Sequence, residues 1–228
     1  AWSVESPRPI FISKNLLKEI KVHLVELLRE FKDVFTWAYD EMPGLDSSLV
    51  VHRLHITPRV KPVKQTQRIF CPEIEIQIKE EIEKLLRAGF IKPIEHPTWL
   101  ANIVPVRKKN GQIRICVDFR DLNKACPKDD FLLPNIDTLV DVTAGHELFS
   151  FMDGFSGYKQ IKMASRDAEC TAFHIPTGNF HYTVMPFELK SAEATYQRAM
   201  TIIFHDMMHD IMEDYVDDII IKLRQAPN

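Results

Sequence analysis

The sequence predicts an α+β fold in which antiparallel strand pairs are backed by helices. Two hairpin signals and four stretches of helical spacing carry that expectation. Residues 101–106 (ANIVPV) and 112–118 (QIRICVD) flank Asn110-Gly111, a pair suited to the positive φ angles of a tight hairpin turn. Residues 170–175 and 180–185 bracket Pro176-Thr177-Gly178-Asn179 in the same way. Apolar residues recur at helical spacing over about 14–31, 73–88, 134–143 and 191–209.

The first helix places Leu16, Leu17, Ile20, Leu24, Leu27, Leu28 and Phe31 at helical spacing, with Ser13 as its expected N-cap. Residues 40–72 are rich in proline and basic residues, lack periodicity, and are expected to form an extended arm with a few short strands. Ile74, Ile76 and Ile78 alternate as in a strand, whereas Ile78, Ile82, Leu85 and Leu86 fit a helix. Pro72 suits the start of a helix and Gly89 its end, which decides for a helix over about 73–88. Ile136, Leu139 and Val140 mark a short helix closed by Gly145, and a strand follows at 148–153. The helix at 191–209 takes Ser191 as N-cap and Glu193 in its first turn. A last hairpin turns at Tyr215-Val216-Asp217-Asp218, between Ile211-Met212 and Ile219-Ile220-Ile221.

The chain has 228 residues, 45% hydrophobic and 27% charged, which implies a packed core and excludes global disorder. That length fits one large domain or a domain with a smaller lobe. No apolar run approaches the length of a membrane span, so no membrane contact is expected. The first residues lack a basic-then-apolar signal pattern and an initiator Met, so the chain is expected to be an excerpt of a longer one. Cys71, Cys116, Cys126 and Cys170 show no C-x-x-C spacing, which points to reduced thiols in an intracellular protein that is not secreted, rather than to zinc. The net charge of -3 argues against a general nucleic-acid binder. Charge is local, however: Arg59, Lys61, Lys64 and Arg68 fall in an acid-free stretch, and residues 107–124 are strongly basic. Charge alone weighs equally for solvated loops and for a surface that tracks a phosphate backbone.

Asp217 and Asp218 are two adjacent carboxylates on a predicted turn, and Asp153 ends the apolar run Leu148-Phe149-Ser150-Phe151-Met152. Three such carboxylates can hold the paired divalent cations that drive nucleotidyl transfer. A lone Tyr-x-Asp-Asp is weak, because Asp pairs are ordinary turn residues. Its company strengthens it: Asp153 leads into Gly154-Phe155-Ser156-Gly157-Tyr158, whose glycines let backbone amides approach a phosphate. His205 and His209, at i and i+4, mimic a zinc motif, but Asp206 stands where a glutamate belongs and no third ligand is evident. They are expected to be surface histidines, and the same is expected of His52 and His55.

The chain resembles the reverse transcriptases of the Ty3/gypsy class of long-terminal-repeat retrotransposons, most of all plant members. The blocks that carry the resemblance are WLANIVPVRKKNGQIRICVDFRDLNKACPKDDF (99–131), LFSFMDGFSGYKQIKM (148–163), TAF (171–173), VMPF (184–187), ATYQRAM (194–200) and YVDD (215–218), in the family's order. The resemblance covers roughly residues 45–222. It implies a right-hand polymerase of fingers and partial palm, with an antiparallel palm sheet backed by helices and the thumb absent. The implied organisation is an amphipathic leader at 1–44, a fingers-like region with its N-terminal arm at 45–147, and a partial palm at 148–228. The implied activity is RNA-directed DNA polymerisation, with Mg2+ (or Mn2+) and dNTPs, on an RNA or DNA template-primer, and the implied location is cytoplasmic (a virus-like particle) or nuclear.

By the resemblance, Asp153, Asp217 and Asp218 are the metal-binding catalytic carboxylates, and the Gly154 carbonyl is a further metal ligand. Arg114, with Lys108 or Lys109 at the hairpin tip, holds the incoming triphosphate, and the Ser156 and Gly157 amides face its oxygens. Tyr158 is the aromatic gate against a ribose 2′-hydroxyl, and Phe187 lies against the incoming sugar. Arg120 and Asn123 contact the template, and Tyr215 lies by the primer end. Without the resemblance, Tyr158 reads as a core aromatic, and Arg114 reads equally as an exposed strand residue.

The sequence departs from the family at four positions: Glu188 replaces the usual Gly, Ser191 an Asn, Cys170 a Lys or Arg, and Lys159 an Asn, His or Gln. If residue 188 needs a positive φ, Glu is strained there. The later palm strands, primer grip, thumb and RNase H parts of such a polyprotein are not in the sequence, and those parts are expected partners. The competing expectation is an inactive relic with at most weak nucleic-acid binding. A non-enzymatic RNA-binding module fits less well with the negative net charge.

Overall fold

The computed structural model describes residues 9–108, 111–132, 135–154, 156–216 and 218–223, and the side chain of Asp153 lies outside that description. Contacts divide the chain into two units, Ala1–Met42 and Pro43–Asn228. The first holds helix α1 (Lys18–Glu30) and short 3-10 turns at Lys32–Val34 and Tyr39–Glu41. Helix α1 starts four residues later than the apolar spacing predicts. Ser13 does not cap it: its Oγ accepts the Asn15 N–H at 3.3 Å and closes a local turn of its own. No residue of α1 is buried. A groove in this unit is lined by Val25, Leu28, Phe35 and Trp37, among others.

The second unit runs in chain order through β1 (Val51–His52), α2 (Pro72–Arg87), β2 (Ile91–Pro93), β3 (Ala101–Arg107), β4 (Ile113–Val117), α3 (Arg120–Ala125) and α4 (Ile136–Thr143). It continues through β5 (Leu148–Asp153), β6 (Lys162–Met163), α5 (Ser165–Ala168), β7 (Phe173–Ile175), β8 (Gly178–Tyr182), α6 (Ala192–Ile203), β9 (Met212–Tyr215) and β10 (Asp218–Leu223). The two predicted hairpins become one five-stranded sheet, β2-β8-β7-β3-β4, joined by the parallel pair β3·β7. Helix α2 lies on this sheet. Its buried Ile78, Ile82 and Leu85 join Ile91, Ile103, Val117 and Phe173 in the core. The resemblance implied an antiparallel palm sheet, and the three-stranded order β5-β10-β9 meets it. The fold is α+β, as predicted.

Three boundaries differ from expectation. Residues 169–171 form a 3-10 turn, and Thr183 and Met185 leave β8 to bond Phe90 and Ile161 instead. Helix α6 ends at Ile203, not at 209, because the chain turns back at Phe204 to feed β9 and His209 adopts φ 68°. Helix α3 was not foreseen, since six residues are too few to show a period.

Candidate active site

The β9–β10 hairpin and the end of β5 bring the carboxylate positions together. Across the β5–β10 ladder Asp218 is the register partner of Asp153, and across β9–β10 it is the partner of Tyr215. Asp218 is exposed at the start of its strand. Val216, in the turn, has φ 55°, a costly left-handed angle for a β-branched residue. Asp217 lies outside the described residues. Gln197 of α6 braces this turn from beneath. Its Nε2 donates to Asp214 Oδ2 at 2.8 Å and its Oε1 accepts the Val216 N–H at 3.1 Å.

After β5 the chain coils into a 3-10 turn at Gly157–Gln160, with Ser156 at φ 49°. The Gly157 N–H was expected to face a phosphate. It donates instead to the Gly154 carbonyl at 3.0 Å and closes the turn. That carbonyl keeps a second lone pair. A Cβ at Gly157 would meet the Tyr196 hydroxyl at 2.5 Å and its ring carbons at 2.7 and 2.8 Å, so any larger residue would have to displace this side chain. Tyr196 stacks on Tyr158 (5.0 Å between centroids, 19° between planes), and Tyr158 packs on Phe187 at 4.9 Å. The Arg114 guanidinium lies 4.3 Å from the centre of the Phe187 ring. A column of four side chains thus runs from β4 to α6. Tyr158 lies inside it, 5% exposed.

Lys108 is exposed at the β3–β4 hairpin, its N–H bonded to the Gln112 carbonyl, and Lys109 lies outside the described residues. The buried Asp118 organises the neighbouring basic surface. Its two oxygens receive Arg120 Nε and Nη2 at 2.7 and 2.6 Å, and Arg68 Nη2 stands at 3.7 Å. The Arg120 hydrogen bonds hold the Asp118 carboxyl below the usual carboxylate range. Gln65 Nε2 donates to the Asp118 carbonyl and to Asp121 Oδ2, while its Oε1 accepts the Asn102 N–H. This pins the arm against β3. Asn123, expected at the template, is engaged within the protein. Its Nδ2 donates to the Glu188 carbonyl and its Oδ1 accepts the Lys190 N–H.

His205 Nδ1 faces Asp206 at 3.1 Å, and His209 Nδ1 faces Glu213 at 2.9 Å, beyond the end of α6. His52, expected at the surface, is instead fully buried, with its Nδ1 against Thr195 Oγ1 at 2.8 Å. Among the described residues no group of three His, Cys, Asp or Glu could hold a metal ion. Two members of the expected triad lie wholly or partly outside that description. The donor set fits a hard divalent cation, being oxygen only, with the Asp153 and Asp218 positions in register.

Sequence reasoning gave no role to Gln197, Asp214, Tyr196 or Asp118, although all but Asp214 lie in quoted blocks. The available signal was a glutamine among Ala194, Tyr196, Ala199 and Met200 on a buried helix. A buried amide in such company demands hydrogen-bond partners.

The family model described as reverse transcriptase (RNA-dependent DNA polymerase) matches residues 106–227. A Pol polyprotein from transposon 297 of Drosophila melanogaster is 28% identical over 211 residues, 91% of this chain and 20% of that one. The chain spans about a fifth of the length of such curated relatives. Among solved structures, a prototype foamy virus protease-reverse transcriptase mutant superposes with a TM-score of 0.77 at 19% identity, over 91% of this chain and 27% of that one. The foamy viral protease-reverse transcriptase in complex with an RNA/DNA hybrid gives 0.73 at 19%, over 96% and 31%.

Proposed function

We propose, from the premise that this chain belongs to the reverse transcriptase (RNA-dependent DNA polymerase) family, that it forms the fingers and part of the palm of a retrotransposon polymerase. In this reading residues 45–147 are fingers, 148–228 are palm, and 1–44 are a leader. The order of the sequence blocks supports the Ty3/gypsy class, and the plant-like branch rests on those blocks alone. The reaction is transfer of a nucleotide from a dNTP to a primer 3′-hydroxyl, in the context of the longer polyprotein. The observation that carries the reading is the register of Asp153 and Asp218 at a hairpin turn.

Asp153, Asp217 and Asp218, with the Gly154 carbonyl, would hold Mg2+ (or Mn2+). A bound divalent cation supplies Lewis acidity to the primer hydroxyl and to the leaving pyrophosphate. Arg114, steered by the Phe187 ring, and a fingers lysine, Lys108 or Lys109, take the triphosphate. The Ser156 amide faces the triphosphate oxygens, while the Gly157 amide holds the turn. The Tyr158 ring, wedged between Phe187 and Tyr196, excludes a 2′-hydroxyl by clash. Arg120 and Arg68 track the template phosphates, Asn123 shapes the template-side loop, and Tyr215 borders the primer end. An RNA/DNA hybrid is the ligand of a structural neighbour, which supports a template-primer duplex as the partner here.

A second reading, an inactive relic, is favoured by one observation: Glu188 occupies a left-handed φ of 72° beside the site. Primer extension on oligo(dT)-primed poly(rA) separates the two. Mg2+-dependent extension that disappears in Asp218→Asn supports the polymerase. No extension from Glu188→Gly, even within a chain extended by the remaining polymerase parts, would establish the relic.

A further inference from the structure

We infer that Gln197 is a positioning residue for the carboxylate turn and works as a pair with Asp214. The inference rests on the active-site reading above. Gln197 is 3% exposed and Asp214 is 1% exposed. Asp214 Oδ2 accepts from the Gln197 amide, so the nitrogen end of that amide faces it. Nε2 must point to Asp214 Oδ2, at 2.8 Å, and it also lies 3.5 Å from the Asp214 carbonyl. The orientation leaves Oε1 for the Val216 N–H, at 3.1 Å.

The turn needs such a brace. Val216 is held at φ 55°, where a β-branched side chain is a genuine outlier. Strained angles persist only where surrounding contacts over-determine them. Two residues on, Asp218 begins β10 opposite Asp153. One buried amide therefore grips the strand before the turn at Asp214 and the turn itself at Val216, and it sets where Asp218 enters the ladder. A residue that merely filled space on α6 would need neither bond.

The test uses this chain with two readouts. Amide hydrogen exchange by NMR reports the turn, and Mn2+ titration by electron paramagnetic resonance reports the metal site. Gln197→Met keeps the volume and removes both bonds. The Val216 amide is expected to lose about tenfold in protection, with β9 amides unchanged, and Mn2+ to bind about tenfold more weakly. Gln197→Glu keeps the acceptor for Val216 but sets two carboxylates face to face, so both readouts fall. Adding Asp214→Asn restores a donor–acceptor pair of reversed polarity and is expected to recover both, a rescue that packing alone does not give.

Unchanged Val216 protection in Gln197→Met, or failure of the double variant to recover it when folded, overturns the inference. So does unchanged Mn2+ affinity in Gln197→Met when Asp218→Asn abolishes binding. If the wild-type chain binds no Mn2+ while Val216 protection still follows Gln197, the active-site reading fails and the positioning role stands.

Discussion

Asn123 clamps Glu188 from the far side of the loop: its amide nitrogen donates to the Glu188 carbonyl at 2.7 Å, and its oxygen accepts the Lys190 N–H at 2.9 Å. The clamped residue has φ 72°, a region that costs a side chain about 1–2 kcal/mol and a glycine nothing. Glu188→Gly is therefore expected to raise stability by about 1 kcal/mol in urea denaturation, the entropy of the freer unfolded chain offsetting part of the relief. Asn123→Ala should lower it by about 1 kcal/mol or more. A destabilised Glu188→Gly would show that the glutamate side chain contributes more than its backbone costs.

The residue-188 expectation was legible before any coordinates because positive φ is a backbone property that one residue type tolerates. The hairpin at Gly111, helix α2 and strand β5 were legible for a similar reason: each is governed by residues close in sequence. Other features depend on distant partners. The parallel pairing of Ala101 with Phe173 joins two hairpins that nothing local connects. Asn123 was placed at the template by the resemblance alone, and only the return of residues 188–190 beside it showed where its bonds go. The end of α6 was overrun because Met207 and Met208 continue an apolar helical pattern, while the reversal at His209 is set by the neighbouring strands.

His52 should make the fold acid-sensitive. Burial pushes its pKa down to about 4, with His55 pushing the same way, from an ordinary value of 6.5. The folded state thus prefers the neutral ring, and the unfolded chain binds the extra proton between those values. Its contribution is fully present above pH 6.5, is lost progressively as pH falls toward 4, and is of order 3 kcal/mol. Chemical denaturation from pH 7 to pH 4 should show this slope, and His52→Gln, which can still bond Thr195, should flatten it. An identical slope in the variant would assign the acid sensitivity elsewhere.

Gly157→Ala should damage the aromatic column rather than the backbone. The added methyl would lie 2.5 Å from the Tyr196 hydroxyl and 2.7–2.8 Å from its ring, and that ring is stacked on Tyr158. Overpacking of this kind costs about 1–3 kcal/mol. Shrinking the neighbour should relieve it, so Gly157→Ala and Tyr196→Leu should be non-additive, the double variant being more stable than the sum of the single losses implies. Strict additivity in thermal unfolding would mean that the methyl finds space by another route.

Lys222 and Glu213 form an ion pair with side chains 2% and 3% exposed, Nζ to Oε1 at 2.7 Å. The same ammonium donates to the Val142 and His209 carbonyls at 3.2 Å each, so one cation ties α4, the 209 turn, β9 and β10 together. A buried pair of this kind contributes little net stability against an apolar replacement, yet breaking it strands a charge. Lys222→Met leaves Glu213 with His209 Nδ1 at 2.9 Å and is expected to cost about 3–5 kcal/mol. Lys222→Met with Glu213→Leu should recover most of that loss, short of the two carbonyls left without the ammonium. Because this pair lies under the strands that place Asp218, the single variant should also speed amide exchange along β9 and β10, and the double should restore it. A single variant as stable as the wild type would show that water reaches Glu213, and the pair would then have no part in holding the sheet.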